Sequence, residues 1–208
     1  MTDNKSYSTQ RMQMEESNLT KVLKGFYEGS LLISTPSILD PRFNKTVIYM
    51  LSHNKKGAMG LIINKPLEEL DFEELVTGTI SNNKKGRVGQ TVLFGGPVEF
   101  KRGFLLHSSE YNIPGKTLKL GGNFNLTNDT KALQDICEGK GPISSIFTLG
   151  YAGWSAGQLE REILEDSWLV AKAKHSIIFG KNHSEKYGSS LSSIGITKGY
   201  LASESGRA

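Results

Sequence analysis

The chain's 208 residues, 37% hydrophobic and 22% charged, have the composition of an ordinary folded domain with one sizeable buried core. Its net charge of +4 sits in residues 172–208, where six Lys/Arg face two Asp/Glu, too sparse for the dense basic footprint of a nucleic-acid binder. The longest apolar runs, such as Val47-Ile48-Tyr49-Met50-Leu51, are strand-sized, which excludes a membrane-spanning helix, and the polar N-terminal stretch excludes a secretory signal.

Residues 1–22 read as a disordered or loosely attached extension, with Leu19, Val22, Leu23 and Phe26 recurring at helical spacing toward Gly29. Residues 30–35 (SLLIST) read as a buried strand, and Pro36 with Asp40-Pro41 as an irregular loop. Residues 46–53 and 58–64 are β-branched-rich runs joined by Asn54-Lys55-Lys56-Gly57, the pattern of a hairpin. Asp71 with Glu74 matches a capping box for a short helix through Val76. Residues 77–90 form a polar, glycine-rich loop, read as mobile. Strands are expected at 91–95 and 103–107, with an extended stretch at 116–120.

Asn128 or Thr127 is expected to cap a helix with Ala132, Leu133, Ile136 and Cys137 on its apolar face, ending at Gly139. A strand at 144–149 and a helix at 158–166, with Leu159 and Ile163 inward, follow. Short strands are expected at 168–171 and 176–179. A last helix starts at a Ser184 cap, with Tyr187, Leu191 and Ile194 on one face. No repeat or linker divides residues 23–203, which read as a single domain with 204–208 frayed. Early hairpins and later interspersed helices predict an α+β fold on a mixed, largely antiparallel sheet.

The chemistry is constrained mainly by what is missing. Four histidines (His53, His107, His175, His183) and the single Cys137 show no metal-ligand spacing, so no metal is expected. One cysteine also precludes an intramolecular disulfide and fits a reducing, cytoplasmic setting. No phosphate-loop or dinucleotide motif is present, and no cofactor is expected. The Phe94-Gly95-Gly96-Pro97 turn could present backbone N–H groups to an anion, or its glycines could serve a tight turn. Gly153-Trp154-Ser155-Ala156-Gly157 satisfies the G-x-S-x-G nucleophile elbow between a strand and a helix. Ser155 with Gln158 is equally a capping box, and Asp166 is poorly placed as a triad acid; the capping reading is preferred. Glu160, Glu162, Glu165 and Asp166 read as a solvated helix face, with Glu160 set apart by its closeness to Trp154 and Gln158. Trp154 itself reads as a core or interface residue before a ligand platform.

Three blocks carry more information together. They are S-L-L-I-S-T-P-x-x-x-D-P-R-F-x-x-T-V-I-Y-M-L-x-H-N-x-x-G-A-M-G-L-I-I-N-K-P (30–66), F-G-G-P-V-x-x-x-R-G-F-L-L-H (94–107) and L-G-Y-A-G-W-x-x-G-Q-L-E-x-E-I-x-x-x-S-W-L (149–169). Their order and spacing resemble the AlgH/YqgE family of bacterial proteins over about residues 23–203. The resemblance implies a sheet curled into a partial barrel with flanking helices. It implies no reaction. The transcriptional-regulator label attached to the family finds no helix-turn-helix in these residues.

The polar, glycine and aromatic members of the blocks nominate a ligand cleft: Asp40, Arg42, His53, Asn54, Asn64, Gly95, Gly96, Arg102, His107, Trp154, Gln158 and Glu160. The competing expectation is separate structural roles, such as turns at Asp40 and Asn54 and an ion pair at Arg42. Three functions follow. The leading one is a non-enzymatic regulatory or interaction module acting on a protein or small-molecule partner. The second is an enzyme using His53 or His107 as base and Arg102 for an anionic substrate. The third is nucleic-acid binding through Lys172, Lys174, Lys181 and Lys186.

Overall fold

The computed structural model describes residues 26–79 and 89–196. The expected N-terminal extension, most of the 77–90 loop and the chain from residue 197 onward lie outside the described residues. Within them the strands are β1 (Ser30–Ser34), β2 (Val47–Asn54), β3 (Gly57–Ile62), β4 (Pro66–Asp71), β5 (Thr91–Phe94), β6 (Val98–Ser108), β7 (Thr117–Lys119), β8 (Phe124–Thr127), β9 (Ser145–Ser155) and β10 (Trp168–Lys172). The helices are α1 (Phe72–Thr79), α2 (Thr130–Cys137), α3 (Gln158–Leu164), α4 (His175–Ile178) and α5 (Lys186–Ser192).

The strands join in the order β10-β1-β2-β3-β9-β6-β8-β7, with β5 beside β9 and β4 on β5. Every pairing is antiparallel except β5 with β9. The sheet is mixed and largely antiparallel, as expected from the residues, and curled into a half-barrel, as the family resemblance implies. β1 and β2 are apolar at nearly every position because both of their faces are covered. Leu31, Ile33, Val47 and Tyr49 pack with Ile177, Ile178 and Leu191 of α4 and α5. Leu32, Ile48 and Met50 pack on the other side with Leu159 and Ile163 of α3 and with Trp154 and Trp168. A third cluster sets Phe72, Val76, Ala132 and Ile136 of α1 and α2 on Leu105, Phe147 and Leu149. Burying an aliphatic side chain of this kind is worth about 1.5–3 kcal/mol, so each position in the two-faced packing of β1 and β2 contributes to the stability.

Local chemistry departs from expectation at several ends. Residues 176–179 form a turn of helix rather than a strand: the N–H groups of Ile178 and Phe179 return to the carbonyls of Lys174 and His175. A four-residue apolar run fits either period, and here tertiary packing decides. Asp129, not Asn128 or Thr127, caps α2 by accepting the Lys131 N–H. Ser184 does not cap α5; its hydroxyl bonds Asn182 and a 3-10 turn over His183–Glu185 leads into the helix. Asp71 caps α1 as expected, accepting the N–H groups of Glu73 and Glu74. β4 and β8 have no counterpart in the sequence reading.

Candidate functional site

A β-bulge decides where the first nominated histidine points. Met50 pairs with Gly60 and Ser52 with Met59, leaving Leu51 without a partner. Side chains alternate between faces along a strand, and one extra residue inverts that alternation. Tyr49 and Leu51 face the α4/α5 side, yet His53, two residues on, faces α3. There the ring is buried, stacked on Tyr27 at 5.3 Å and met edge-on by Phe26 at 5.5 Å. Its Nδ1 accepts the Tyr27 backbone N–H at 3.2 Å, which places the ring proton on Nε2, donating to Glu160 Oε1 at 3.1 Å. Neither ring nitrogen has a lone pair available to take a proton from a substrate while these bonds hold. Burial, reinforced by the Glu160 charge, pushes the Tyr27 phenol up to about 12.

The other side of α3 carries a second assembly. Glu162 Oε2 accepts the indole N–H of Trp154 at 2.9 Å and that of Trp168 at 2.8 Å. Its Oε1 accepts the Gln158 amide at 2.8 Å, one helical turn earlier. The indoles meet edge to face at 5.9 Å, so one carboxylate joins the end of β9, the start of β10 and α3. This corrects the expectation that Glu162 belongs to a solvated face. The spacing W-x-x-x-Q-x-x-x-E-x-x-x-x-x-W was visible; that two strands would bring both indoles to one helix was not.

The capping box at Ser155 is half formed. Gln158 Oε1 accepts the Ser155 N–H at 3.0 Å, but the N-cap of α3 is Gly157, in a left-handed conformation and without a side-chain cap. The expected Ser155 side-chain cap is therefore absent, because β9 continues through Ser155 and the turn falls on Ala156-Gly157. Among the described residues no histidine hydrogen-bonds the Ser155 hydroxyl, so the elbow has no base.

The remaining nominated residues serve separate roles. Asp40 caps the 3-10 turn Pro41–Phe43 and forms a forked ion pair with Arg42, which holds the Asp40 carboxyl below its usual range. Asn54 Oδ1 closes the hairpin turn on the Lys56 N–H. Asn64 bridges the Val47 N–H and the Lys45 carbonyl. His107 is wholly buried; its Nδ1–H donates to the Ser108 carbonyl and its Nε2 accepts from Thr127. Burial pushes that imidazole below its ordinary range, so it is a neutral core group. Gly95 uses its N–H on the Leu149 carbonyl and its carbonyl on the Ile62 N–H, and a Cβ on Gly96 would lie 2.1 Å from the Tyr151 backbone. The glycines permit close approach of this turn to β9, and Gly95 offers no N–H to an anion.

Arg102 is half-exposed, paired with Glu99 at 2.9 Å and set over the Phe104 ring. Surface pairs of this kind contribute little, so Arg102→Ala is expected to change stability by less than about 1 kcal/mol in urea denaturation. The twelve nominated residues thus form one cluster around α3 (His53, Trp154, Gln158, Glu160) and otherwise disperse.

A cavity of about 500 Å³ lies elsewhere, between the start of β9, the end of α2 and residues 179–183. Of the nucleic-acid candidates, Lys181 lines this cavity, and Lys172 and Lys174 are exposed. Lys186 is not available to phosphates: it is 2% exposed, with Nζ donating to the carbonyls of Ile63 at 3.0 Å and Ile178 at 2.7 Å. Lys186 opens α5 on its buried side, and burial depresses its pKa to about 8. Among the described residues no three acidic, histidine or cysteine side chains gather as a metal site, and no helix is long and apolar enough to cross a membrane.

Comparison with known proteins places this geometry. The model of the AlgH-like family (DUF179) matches residues 31–199. The chain belongs to the AlgH-like family. It is 42% identical to a UPF0301 protein of Bradyrhizobium diazoefficiens, covering 88% of this chain and 89% of that one. With a UPF0301 protein of Jannaschia sp. the identity is 43%, over 86% and 94% of the two chains. Among solved AlgH-like structures, the solution structure of AlgH from Pseudomonas aeruginosa matches with a TM-score of 0.72 at 34% identity, covering 88% and 96%. A crystal structure of a Corynebacterium diphtheriae protein shares the fold at 18% identity, with a TM-score of 0.64 and coverage of 78% and 84%.

Proposed function

We propose that this AlgH-like chain is a non-enzymatic interaction module that acts in regulation by engaging a protein partner through the first half of β6. The observation that carries this reading is the exposed strip Val98, Phe100 and Arg102. Val98 is 36% and Phe100 44% exposed, beside an arginine whose side chain is 52% exposed. Interfaces concentrate binding energy in aromatic and arginine side chains of this kind. The strip is held outward by a bulge. Val98 pairs with Tyr151 and Gly103 with Leu149, and Glu99 between them takes a positive φ of 48°. Gly150 accommodates it, since a Cβ there would meet the carbonyls of Gly96 and Val98. The committed nitrogens of His53 and His107 support the same reading, because neither histidine is placed to act as a base.

The test is site-specific photo-cross-linking in cells from position 100, compared with the exposed helical position Leu164. A discrete protein adduct at 100, lost in Arg102→Glu and missing at 164, is expected. Equal adducts at both positions, or a turnover activity abolished by His53→Ala, Glu160→Ala or Arg102→Ala, would overturn the proposal.

A further inference from the structure

The cavity of about 500 Å³ is in the size range of small-metabolite sites. Its charged lining is of one sign. Lys181 and His183 border it, and among the described residues no aspartate or glutamate does. Lys181 forms no ion pair among the described residues. Beside His183, the buried Lys186 ammonium is held by two carbonyls, and among the described residues it forms no ion pair. His183 feels that charge: burial first and Lys186 second lower its pKa. Its Nδ1 is buried without a hydrogen-bond partner. The ring also faces the Ile63 carbonyl that accepts Lys186. Burying a cation without a counter-charge is costly, and setting a histidine beside it adds to the cost. Groupings that stability alone disfavours are characteristic of binding sites.

We propose that this cavity binds a small anion, a phosphate or carboxylate group, with Lys181 and His183 as its direct partners and Lys186 as the fixed positive charge behind them. Binding would supply the missing counter-charge and bring the His183 ring to its protonated, doubly donating form. Two polar groups of the serine wall are already engaged: Ser145 Oγ donates to Gln90 Oε1, and the Ser144 backbone N–H donates to Ser108 Oγ. The site is distinct from the β6 strip. Ser145 and Tyr151, the β9 partner of Val98, are about 20 Å apart along the strand. Failure of one proposal therefore leaves the other standing.

The experiment is an NMR titration of the full chain with inorganic phosphate and, separately, with succinate, following the histidine ring and backbone amide signals. Sodium chloride of matched ionic strength is the control, and the exposed His175 is the internal reference. Saturable shifts at His183 and the Ser144–Ile146 amides, absent at His175 and in chloride, are expected. The anion that saturates, or both, names the chemical class. Lys181→Glu is expected to weaken the affinity at least about tenfold, with the rest of the spectrum unchanged, since its side chain is at the surface. His183→Gln, which cannot carry charge, should do the same. Shifts that never saturate, that match His175 or chloride, or that survive Lys181→Glu unchanged would overturn the proposal.

Discussion

Glu162→Ala is expected to destabilise the protein by about 3 kcal/mol, a fall in Tm of roughly 6–12 °C for a chain of this size. Three donors lose their acceptor at once. Two of them are indole N–H groups of tryptophans that are 8% and 3% exposed, so water replaces the carboxylate poorly. An unsatisfied buried donor costs about 1–3 kcal/mol, and the partial exposure of Glu162 itself keeps the total below the simple sum. Glu162→Gln retains an oxygen for the indoles and is expected to cost about 1 kcal/mol. Because Trp154 and Trp168 are the chain's only tryptophans, fluorescence excited selectively in the indoles reports on this assembly alone. An alanine variant that melts like the wild type with an unchanged tryptophan spectrum would show that the carboxylate is not the join between β9, β10 and α3.

The second large effect is a stability that rises with pH above 8. The Lys186 ammonium has a pKa of about 8 in the folded chain and 10.5 as its ordinary value. Between those values the unfolded chain keeps a proton that the folded chain has released, so raising the pH favours folding. Below pH 8 both states are protonated and the full penalty applies, at most roughly 3 kcal/mol for a shift of this size. Tyrosines work in the opposite sense at higher pH. Burial raises the phenols of Tyr27, Tyr49, Tyr111 and Tyr187, so the unfolded chain ionises first above about pH 10. Burial also raises the Cys137 thiol above its ordinary 9.0, which opposes the rise in this window, and lowers Lys65, which adds to it, so Lys186 is read as a difference between two chains. In urea denaturation at pH 7.5 and 9.5, the wild type is expected to gain about 2 kcal/mol more than Lys186→Met over that interval. A methionine variant with the same pH dependence as the wild type would remove Lys186 as the cause.

Much of the fold could be read from the residues because its strands are buried on both sides. Continuous apolar runs at 30–35 and 46–53 have no competing interpretation once Gly57 closes the hairpin between β2 and β3. What escaped the reading depended on contacts remote in sequence. Glu162 resembles any solvent-facing glutamate until Trp154 and Trp168 arrive from two strands. Lys186 carries no local mark of burial; only the packing of α4 and α5 on β1 encloses it. β8 was hidden because Phe124-Asn125-Leu126-Thr127 is four residues after two glycines, too short for a period to declare itself. Of the nominated cleft, the part that converges on α3 comes from the third sequence block and, from the first, His53 alone. Asp40, Asn54 and Asn64 followed the alternative expectation, turns and backbone bridges, because short polar side chains satisfy nearby backbone groups first.

The bulge at Leu51 has a bearing on how this chain can vary. A strand enclosed on both faces has no solvent side on which to place a polar group, so composition alone cannot bring a histidine to a chosen wall. An added residue can. Count, rather than chemistry, is what assigns His53 to the helix α3 side and Leu51 to the other. Changes of residue type within residues 47–53 are therefore open to compensation by neighbouring side chains. Changes of length there are not, since one residue fewer would exchange inside walls for every position that follows, up to the turn at Asn54 where the hairpin can absorb the difference.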